Sequence, residues 1–201
     1  MTKEEDVGEQ KMEMLDIVDE QGNPTGRAVE RTKAHQEGIL HRTAHVWILR
    51  DRGKGTEVLL QKRSPGKDSH PGCYDISSAG HIPAGDDYLP SAVRELKEEL
   101  GVDVRAEELH YCGLRRIHWE DVFYGREFVD DQVSKVYCLW KNVDEGSLRL
   151  QESEVEEVCW MGLAQCKDGV KRNRFPNCIA LEELEMLPES REEGAYENTD
   201  V

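Results

Sequence analysis

The chain has 201 residues, a formal net charge of -16 and 37% apolar residues. This length suits one domain with short extensions, and we expect a single domain. No stretch approaches the ~18 uninterrupted apolar residues of a membrane helix, and the N-terminus lacks the basic start and apolar run of a signal peptide. We therefore expect a cytoplasmic protein without a membrane partner. The negative charge also argues against a nucleic acid polymer as partner.

The ends of the chain differ in composition from its middle. We expect a flexible N-terminus over residues 1–10, a domain over 11–187 and an acidic tail over 188–201. The tail should be solvated and poorly ordered because it is rich in acids and poor in apolar residues. The six cysteines include no C-x-x-C pair, so the sequence suggests neither a zinc knuckle nor a dithiol redox motif. Most of them should be reduced core residues.

The first half of the domain alternates strand and turn signals. An alternating run at 14–20 followed by turn residues at 22–26 predicts a hairpin, and 30–36 predicts a short helix. Later apolar runs predict three more strands, at 45–49, 57–61 and 74–79. The loop at 64–72, which contains Gly and Pro, separates the last of these from the strand pair before it.

The clearest helix is predicted over Tyr88 to Leu100, with Asp87 as N-cap and Gly101 at the C-terminal stop. Its apolar residues recur at helical spacing, so one face should be buried. Further strands are predicted at 109–118, 128–140 and 155–161, and a last helix at 177–186. The mixture predicts an α/β fold with helices on both faces of the sheet.

Three carboxylates share a patch of this helix. Glu95, Glu98 and Glu99 stand at i,i+3 and i,i+4 spacing, on the side away from the apolar stripe. Their mutual repulsion weakens a helix unless divalent cations bind them, and carboxylate oxygens are the ligands that Mg²⁺ or Mn²⁺ prefers. The alternative is a solvated charged face, balanced by Arg94 and Lys97.

The residues around this patch favour the metal interpretation. The segment 80–102 resembles the Nudix box, G-x5-E-x7-R-E-U-x-E-E-x-G-U with U a bulky aliphatic residue. One position departs from it, because Asp86 stands where the family has its first glutamate. Eight residues match the pattern: Gly80, Arg94, Glu95, Leu96, Glu98, Glu99, Gly101 and Val102.

The resemblance implies a Nudix-type α/β/α sandwich with a mixed sheet and a hydrolase that cleaves a diphosphate linkage. By this resemblance Glu95, Glu98 and Glu99 bind Mg²⁺ or Mn²⁺, and Arg94 holds the carboxylates in place. The general base is left open between one of the box glutamates and an acid outside the box, such as Asp130 or Asp131. The metals would neutralise the diphosphate and lower the pKa of an attacking water.

A second resemblance concerns the segments before the box, 34–42 and 62–81. They look like the corresponding segments of isopentenyl-diphosphate isomerases and their hydrolase-like relatives. The resemblance implies a second divalent metal site at three histidines and a basic pocket that holds the diphosphate. The histidines are His35, His41 and His81, and the basic residues are Arg31, Arg63 and Lys67. Each histidine taken alone is more often a residue without a ligand role.

Two departures argue against isomerase chemistry. The isomerases have their catalytic cysteine immediately before the box glycine, where this chain has Ala79. Gln132 replaces a glutamate that should complete the histidine metal site, and a neutral amide is a poorer ligand. The intact box, in contrast, favours hydrolysis.

Three functions therefore compete. The leading hypothesis is a metal-dependent hydrolase acting on a nucleoside diphosphate derivative or another organic diphosphate. The alternatives are an isomerase-like enzyme for isoprenyl diphosphates and a catalytically silent Nudix module that binds a nucleotide. The sequence identifies neither the substrate nor the oligomeric state, because the box activates water without contacting the leaving group.

Overall fold

An N-terminal hairpin and a short helix open the fold. The computed structural model describes residues 12–191, so the expectation for residues 1–10 and most of the predicted tail lie outside the described residues. Strands β1 (Met14–Val18) and β2 (Pro24–Glu30) pair antiparallel, which confirms the predicted hairpin. Helix α1 (Arg31–Glu37) follows at once. The Glu30 side chain caps it by accepting hydrogen bonds from the backbone N–H groups of its first turn.

A mixed sheet forms the centre of the fold. The order of its main path within residues 12–191 is β5-β4-β3-β8-β7, while β6 pairs with β3 and β9 with β4. The β3–β8 pair is parallel and the other pairs are antiparallel. The strands are β3 (His41–Asp51), β4 (Thr56–Arg63), β5 (Tyr74–Asp75), β6 (Ser78–His81), β7 (His110–Phe123), β8 (Arg126–Trp140) and β9 (Val155–Gly162).

Helices cover both faces of this sheet, as the sequence predicted. Helix α2 (Tyr88–Leu100) buries Ala92, Leu96 and Leu100 against one face. Helices α3 (Leu163–Lys171) and α4 (Leu181–Met186) cover the other face, where Trp47 is fully buried. Burying a leucine of this kind contributes about 1.5–3 kcal/mol, so the apolar stripe of α2 is enough to hold it on the sheet.

The bounds predicted for α2 are confirmed at both ends. The Asp87 side chain accepts a hydrogen bond from the Tyr88 N–H at 2.7 Å. Gly101 ends the helix with φ 69°, a left-handed conformation, and its N–H donates to carbonyls of the last turn. The helix between these two residues is continuous, so it holds the box glutamates at fixed positions relative to one another.

Three local expectations were wrong. The strand predicted at 74–79 is two short strands, because β5 pairs with β4 whereas β6 pairs with β3. The last helix is shorter than predicted, and α3 was not predicted at all. Apolar residues at 163, 166 and 170 signal α3, but Gly169 within it obscured the pattern. That glycine lets Phe175 approach, since an added Cβ would lie 2.5 Å from its ring.

The domain continues past the residue where the tail was predicted to start. Pro188 is buried. The Thr56 hydroxyl donates to the Glu189 carbonyl at 2.7 Å, and Lys167 pairs with the Glu189 carboxylate. None of the helices in residues 12–191 is long and apolar enough to cross a membrane.

Candidate functional site

The three box glutamates of α2 differ in exposure. The Glu98 side chain is 52% exposed, as predicted for a charged face. Glu99 is buried, and its carboxylate accepts hydrogen bonds from the Ser78 hydroxyl at 2.6 Å and the Ala79 N–H at 3.3 Å. The Glu95 side chain is only 15% exposed. All three carboxylates were predicted on the side away from the apolar stripe, but two of them are largely buried because α2 packs against β6.

The box glycine makes room for Glu95. A Cβ added at Gly80 would lie 2.1 Å from the Glu95 carboxyl carbon, which is far inside van der Waals contact. Only glycine at this position of β6 lets the carboxylate lie flat against the strand. The spacing between the two residues in the box thus has a steric cause.

Arg94 holds two of the carboxylates, as the resemblance implied. Its guanidinium lies 2.8 Å from a Glu95 oxygen and 2.9 Å from a Glu98 oxygen, and it donates to the His81 carbonyl at 3.4 Å. Because Arg94 and Ser78 occupy these oxygens, the three glutamates do not converge on one point. In the described part of the chain, the histidines discussed below are the group whose ligand atoms lie within 4.8 Å of one another.

Burial changes the acidity of the two inner glutamates. It raises the pKa of Glu99 from 4.5 to about 8, although the Ser78 hydrogen bond works in the opposite direction. It raises the pKa of Glu95 from 4.5 to about 7, partly offset by the charge of Arg94. A divalent cation beside these carboxylates would favour their ionised forms, which burial penalises.

The three predicted histidines meet despite their separation in sequence. The ring centroids of His35, His41 and His81 lie 5.0 to 5.2 Å apart. The Nε2 atoms of His35 and His81 are 3.2 Å apart. Two nitrogens at ~2.0–2.1 Å from one tetrahedral Zn²⁺ would lie about 3.3 Å apart, so the pair already has the spacing of a shared ligand shell.

Hydrogen bonds orient two of these rings. The Nδ1 of His35 lies 3.0 Å from the Arg31 carbonyl, and the Nδ1 of His41 lies 2.8 Å from the Ile39 carbonyl. A carbonyl only accepts, so each Nδ1 carries the proton and each Nε2 keeps its lone pair. Metal-binding histidines are commonly held in this way. The buried Nε2 of His41 has no hydrogen-bond partner among the described residues.

Burial also keeps these imidazoles neutral. It is the largest cause that lowers the pKa of His35 to about 3, and it lowers the pKa of His41 and of His81 as well. Neutral imidazole is the form that binds metal ions. The donor set, its spacing and the unpartnered nitrogen all fit a divalent cation.

A carboxylate outside the predicted site residues adjoins the histidines. Asp130 is buried on β8, and its Oδ1 lies 3.7 Å from the His35 Nε2. Asp131 points to the other face of the strand, where Arg116 and His118 bind it. Of the two acids considered as a base outside the box, only Asp130 therefore lies in the site. The alternation of side chains along a strand could have separated them once β8 was recognised.

The predicted basic residues surround the site, but each has an acidic partner. Arg31 lies 2.9 Å from Glu13. The Arg63 side chain is 15% exposed, lies 3.0 Å from Asp75 and donates to the Ser69 carbonyl. The predicted basic pocket is therefore largely neutralised in this structure.

Lys67 is the basic residue that links the two groups of ligands. It pairs with Glu154, and its positive charge lowers the pKa of both Glu99 and His81. The hydroxyl of Tyr124, at the tip of the β7–β8 hairpin, donates to the Lys67 carbonyl at 3.1 Å. The hairpin tip thus touches the loop that carries this lysine.

An aromatic cluster on the same hairpin borders the histidines. Phe128 stacks on His35 with centroids 4.6 Å apart, and Trp119 stacks on Phe128 at 5.4 Å. His70 contacts both Trp119 and Phe123 at 5.0 Å. Phe128 was not singled out in the sequence, and its position two residues before Asp130 on one strand face is the signal that could have found it.

Comparison with known proteins identifies the family. Residues 39–178 match the NUDIX domain, which is more than half of the chain. The chain belongs to the Nudix family. It is 38% identical over 143 residues to an uncharacterized Nudix hydrolase of Clostridium acetobutylicum, a match that covers 71% of this chain and 66% of that protein. These findings confirm the predicted family, and that relative is named as a Nudix hydrolase.

A second relative is much longer than this chain. The chain is 51% identical over 150 residues to Nudix hydrolase 3 of Arabidopsis thaliana, and the match covers 73% of this chain but 19% of that protein. The chain therefore spans less than two thirds of the length of both relatives. His35 lies before the matched Nudix region and α4 lies after it.

Solved structures confirm the Nudix fold. A Deinococcus radiodurans protein superimposes with a TM-score of 0.63 and 18% identity, covering 86% of this chain and 98% of that protein. The NUDIX domain of Shewanella oneidensis NrtR, which was crystallised in complex with ADP ribose, gives a TM-score of 0.50 at 18% identity and covers 75% of this chain and 86% of that one. At these identities the likeness concerns the fold alone.

Proposed function

We propose that this chain is a metal-dependent hydrolase that cleaves the diphosphate linkage of a nucleoside diphosphate derivative or another organic diphosphate. The observation that carries the proposal is the intact R-E-U-x-E-E part of the box on α2, with Glu95 lying over Gly80 and Arg94 holding Glu95 and Glu98. The substrate is a small molecule, in keeping with the ADP ribose bound to the Shewanella domain. Mg²⁺ or Mn²⁺ is the cation that suits these oxygen ligands.

Each residue of the box has a separate task in this proposal. Glu95, Glu98 and Glu99 would supply oxygen ligands to the divalent cations, and Arg94 keeps the first two in position. A bound divalent cation supplies positive charge to the diphosphate and a more acidic attacking water. Candidates for the proton acceptor are the buried carboxylates of Glu95, Glu99 and Asp130.

The substrate phosphates would be held on the basic side of the site. Lys67 is best placed, because its charge acts on both Glu99 and His81. Arg31 and Arg63 would also bind the phosphates if the phosphates displaced or shared their partners, Glu13 and Asp75. A second divalent cation would bind at His35, His41 and His81, with Asp130 beside them.

An isomerase-like activity is less well supported. Ala79 carries no group that can deliver or remove a proton, and its neighbour on the paired strand is His45. A silent nucleotide-binding module is also disfavoured, since it would not need a glutamate as buried as Glu99, held by two hydrogen bonds. Hydrolysis uses every residue of the box.

The test is a screen of diphosphate compounds with Mg²⁺ and with Mn²⁺, in which products are identified by mass. We expect metal-dependent release of two phosphate-bearing products, or of one with inorganic phosphate, that is abolished by a chelator. Glu98→Gln should lower kcat at least ~100-fold, since it removes one ligand charge from an exposed position without disturbing the core. The control is Glu107→Gln, which changes an exposed glutamate outside α2.

Two results would contradict the proposal. One is a rate for Glu98→Gln close to that of the wild type on every compound the wild type cleaves. The other is the absence of metal-dependent turnover across the whole screen, combined with tight binding of an intact nucleotide. That second result would establish the silent module instead.

A further inference from the structure

We infer that Gln132 is a positioning residue, whose side-chain amide turns the Asp130 carboxylate toward the histidine cluster of His35, His41 and His81. The inference rests on the part of the proposed function that places a divalent cation at this cluster. By sequence resemblance, Gln132 stands where a ligand carboxylate was expected. The structure assigns it a different task, which is to hold a neighbouring carboxylate.

The contacts of Gln132 leave little freedom to its side chain. Its amide nitrogen donates a short hydrogen bond to Asp130 Oδ1, and its amide oxygen accepts from the Thr43 hydroxyl at 2.8 Å. All three residues are at least 92% buried. The same Oδ1 of Asp130 lies 3.7 Å from the His35 Nε2. The amide therefore grips the oxygen atom that faces the histidines.

Hydrogen-bond chemistry requires an amide at this position. An ionised carboxylate only accepts, so the atom facing Asp130 must be a donor. A hydroxyl has one proton to donate, and the Thr43 hydroxyl donates it to the amide oxygen of Gln132. A glutamate at 132 would set two carboxylates against each other in a buried site, where like charges are strongly disfavoured. The Gln132 amide meets both needs, because its nitrogen donates to Asp130 and its oxygen accepts from Thr43.

The strand register brings these groups to one face. In the parallel β3–β8 pair, His41 is the partner of Gln132 and Thr43 is the partner of Ser134. Asp130 precedes Gln132 by two residues and so shares its face. Asp130 and Gln132 on β8 thus share one face with His41 and Thr43 on β3, while α1 and β6 bring His35 and His81 to the same place.

The far end of this chain of contacts is anchored in the core. Thr43 lies 3.4 Å from the Nε2 of His45, whose Nδ1 lies 2.8 Å from the Glu183 carboxylate on α4. Glu183 also accepts hydrogen bonds from Trp47 and Arg115. A buried network satisfied in this way is rigid. Thr43 can therefore fix Gln132, and Gln132 can fix Asp130.

The decisive experiment is a titration with Co²⁺, which reports on its ligands by visible absorption and by saturation, independently of catalysis. The variants are Gln132→Glu, Gln132→Met and Thr43→Val. We expect each of them to weaken Co²⁺ binding about 10- to 100-fold, the usual effect of removing a group that orients a metal ligand. His35→Ala, which deletes a ligand, should abolish the absorption.

Gln132→Glu separates this inference from its main alternative by the sign of the effect. If position 132 were a ligand position merely weakened by the amide, the restored carboxylate would tighten Co²⁺ binding. Tighter binding by Gln132→Glu would therefore overturn the inference. So would a wild type whose Co²⁺ spectrum is unchanged by His35→Ala, because no cation would then occupy the cluster.

A matched control addresses a purely structural role. Thr56→Val also removes a buried threonine hydroxyl, the one that donates to the Glu189 carbonyl far from the histidines. We expect Thr56→Val and Thr43→Val to lower the urea midpoint similarly, while only Thr43→Val weakens Co²⁺ binding. Equal Co²⁺ affinities for the two variants would contradict the inference even if Gln132→Glu failed to fold.

The hydrolase proposal and this inference can fail separately. The proposal depends on Mg²⁺ or Mn²⁺ at Glu95, Glu98 and Glu99, and product analysis tests it. The inference depends on the Co²⁺ spectrum of the histidine cluster. A chain that hydrolyses diphosphates but gives no such spectrum refutes the inference alone, and a chain with the spectrum but without turnover refutes the proposal alone.

Discussion

Replacing Glu99 by glutamine should make the metal-free protein more resistant to unfolding at alkaline pH. Glu99 is only 5% exposed, and burial raises its pKa from 4.5 to about 8. A carboxyl whose folded-state pKa is raised holds its proton more tightly when folded. Between these two values the folded protein thus binds more protons than the unfolded chain, and stability falls as the pH rises. Glutamine cannot ionise, so the variant lacks this loss.

The size of the effect follows from the shift. At about 1.36 kcal/mol per pKa unit, a shift from 4.5 to about 8 corresponds to roughly 5 kcal/mol once the pH exceeds both values. Between pH 5 and pH 9 the free energy of unfolding of the wild type should therefore fall relative to that of Glu99→Gln by up to roughly 4 kcal/mol. Local opening that lets water reach an ionised Glu99 reduces this difference.

The measurement is urea unfolding in the presence of a chelator at intervals from pH 5 to pH 9. We compare how the free energy of unfolding changes with pH, not its absolute value. An effect of the substitution that is the same at every pH, such as an unpaired glutamine amide near Ser78, then cancels. Glu98→Gln is the matched control, because it makes the same substitution on the same helix at a side chain that is 52% exposed. Parallel curves for the wild type and Glu99→Gln would refute the reasoning.

Two further predictions concern the box and the choice of chemistry. Gly80→Ala should displace Glu95, because the new Cβ would lie 2.1 Å from its carboxyl carbon. We expect a stability loss of about 1–3 kcal/mol and a loss of Mn²⁺ binding by calorimetry, while Gly146→Ala, whose Cβ would meet nothing closer than 4.0 Å, should leave both unchanged. Neither the wild type nor Ala79→Cys should exchange hydrogen isotopes into isopentenyl diphosphate, since the alanine lacks the thiol and Gln132 cannot accept a proton at neutral pH. Exchange by the unmodified protein would contradict the assignment to hydrolysis.

The sequence predicted the elements of the fold well where local signals were strong. Helix α2 was predicted to the residue, because Asp87 and Gly101 mark its ends and the apolar spacing marks its buried face. Helix α3 was missed, since its only apolar signal is three residues and Gly169 suggested a loop. The reason for that glycine, the approach of Phe175, is a tertiary contact that no local pattern reveals.

The sequence predicted the candidate site residues but not their environments. The approach of His35, His41 and His81 to one another is confirmed, and their role as ligands stays a prediction. Periodicity placed Glu99 on the polar side of α2, yet it is buried, because the helix lies close enough to β6 for the Ser78 hydroxyl to reach it. The same limitation applies to Arg63, whose partner Asp75 becomes evident only when β4 and β5 are paired.

The position of the histidine cluster relative to the family match has an evolutionary consequence. The region shared with the family, residues 39–178, carries the glutamates, whereas His35 and Glu183 come from the segments that flank it. Changes in those flanks can therefore alter or remove His35, one of the three histidines of the cluster, while the helix that carries the box stays intact. Relatives that share the box should differ in this cluster according to what their own flanking segments contribute.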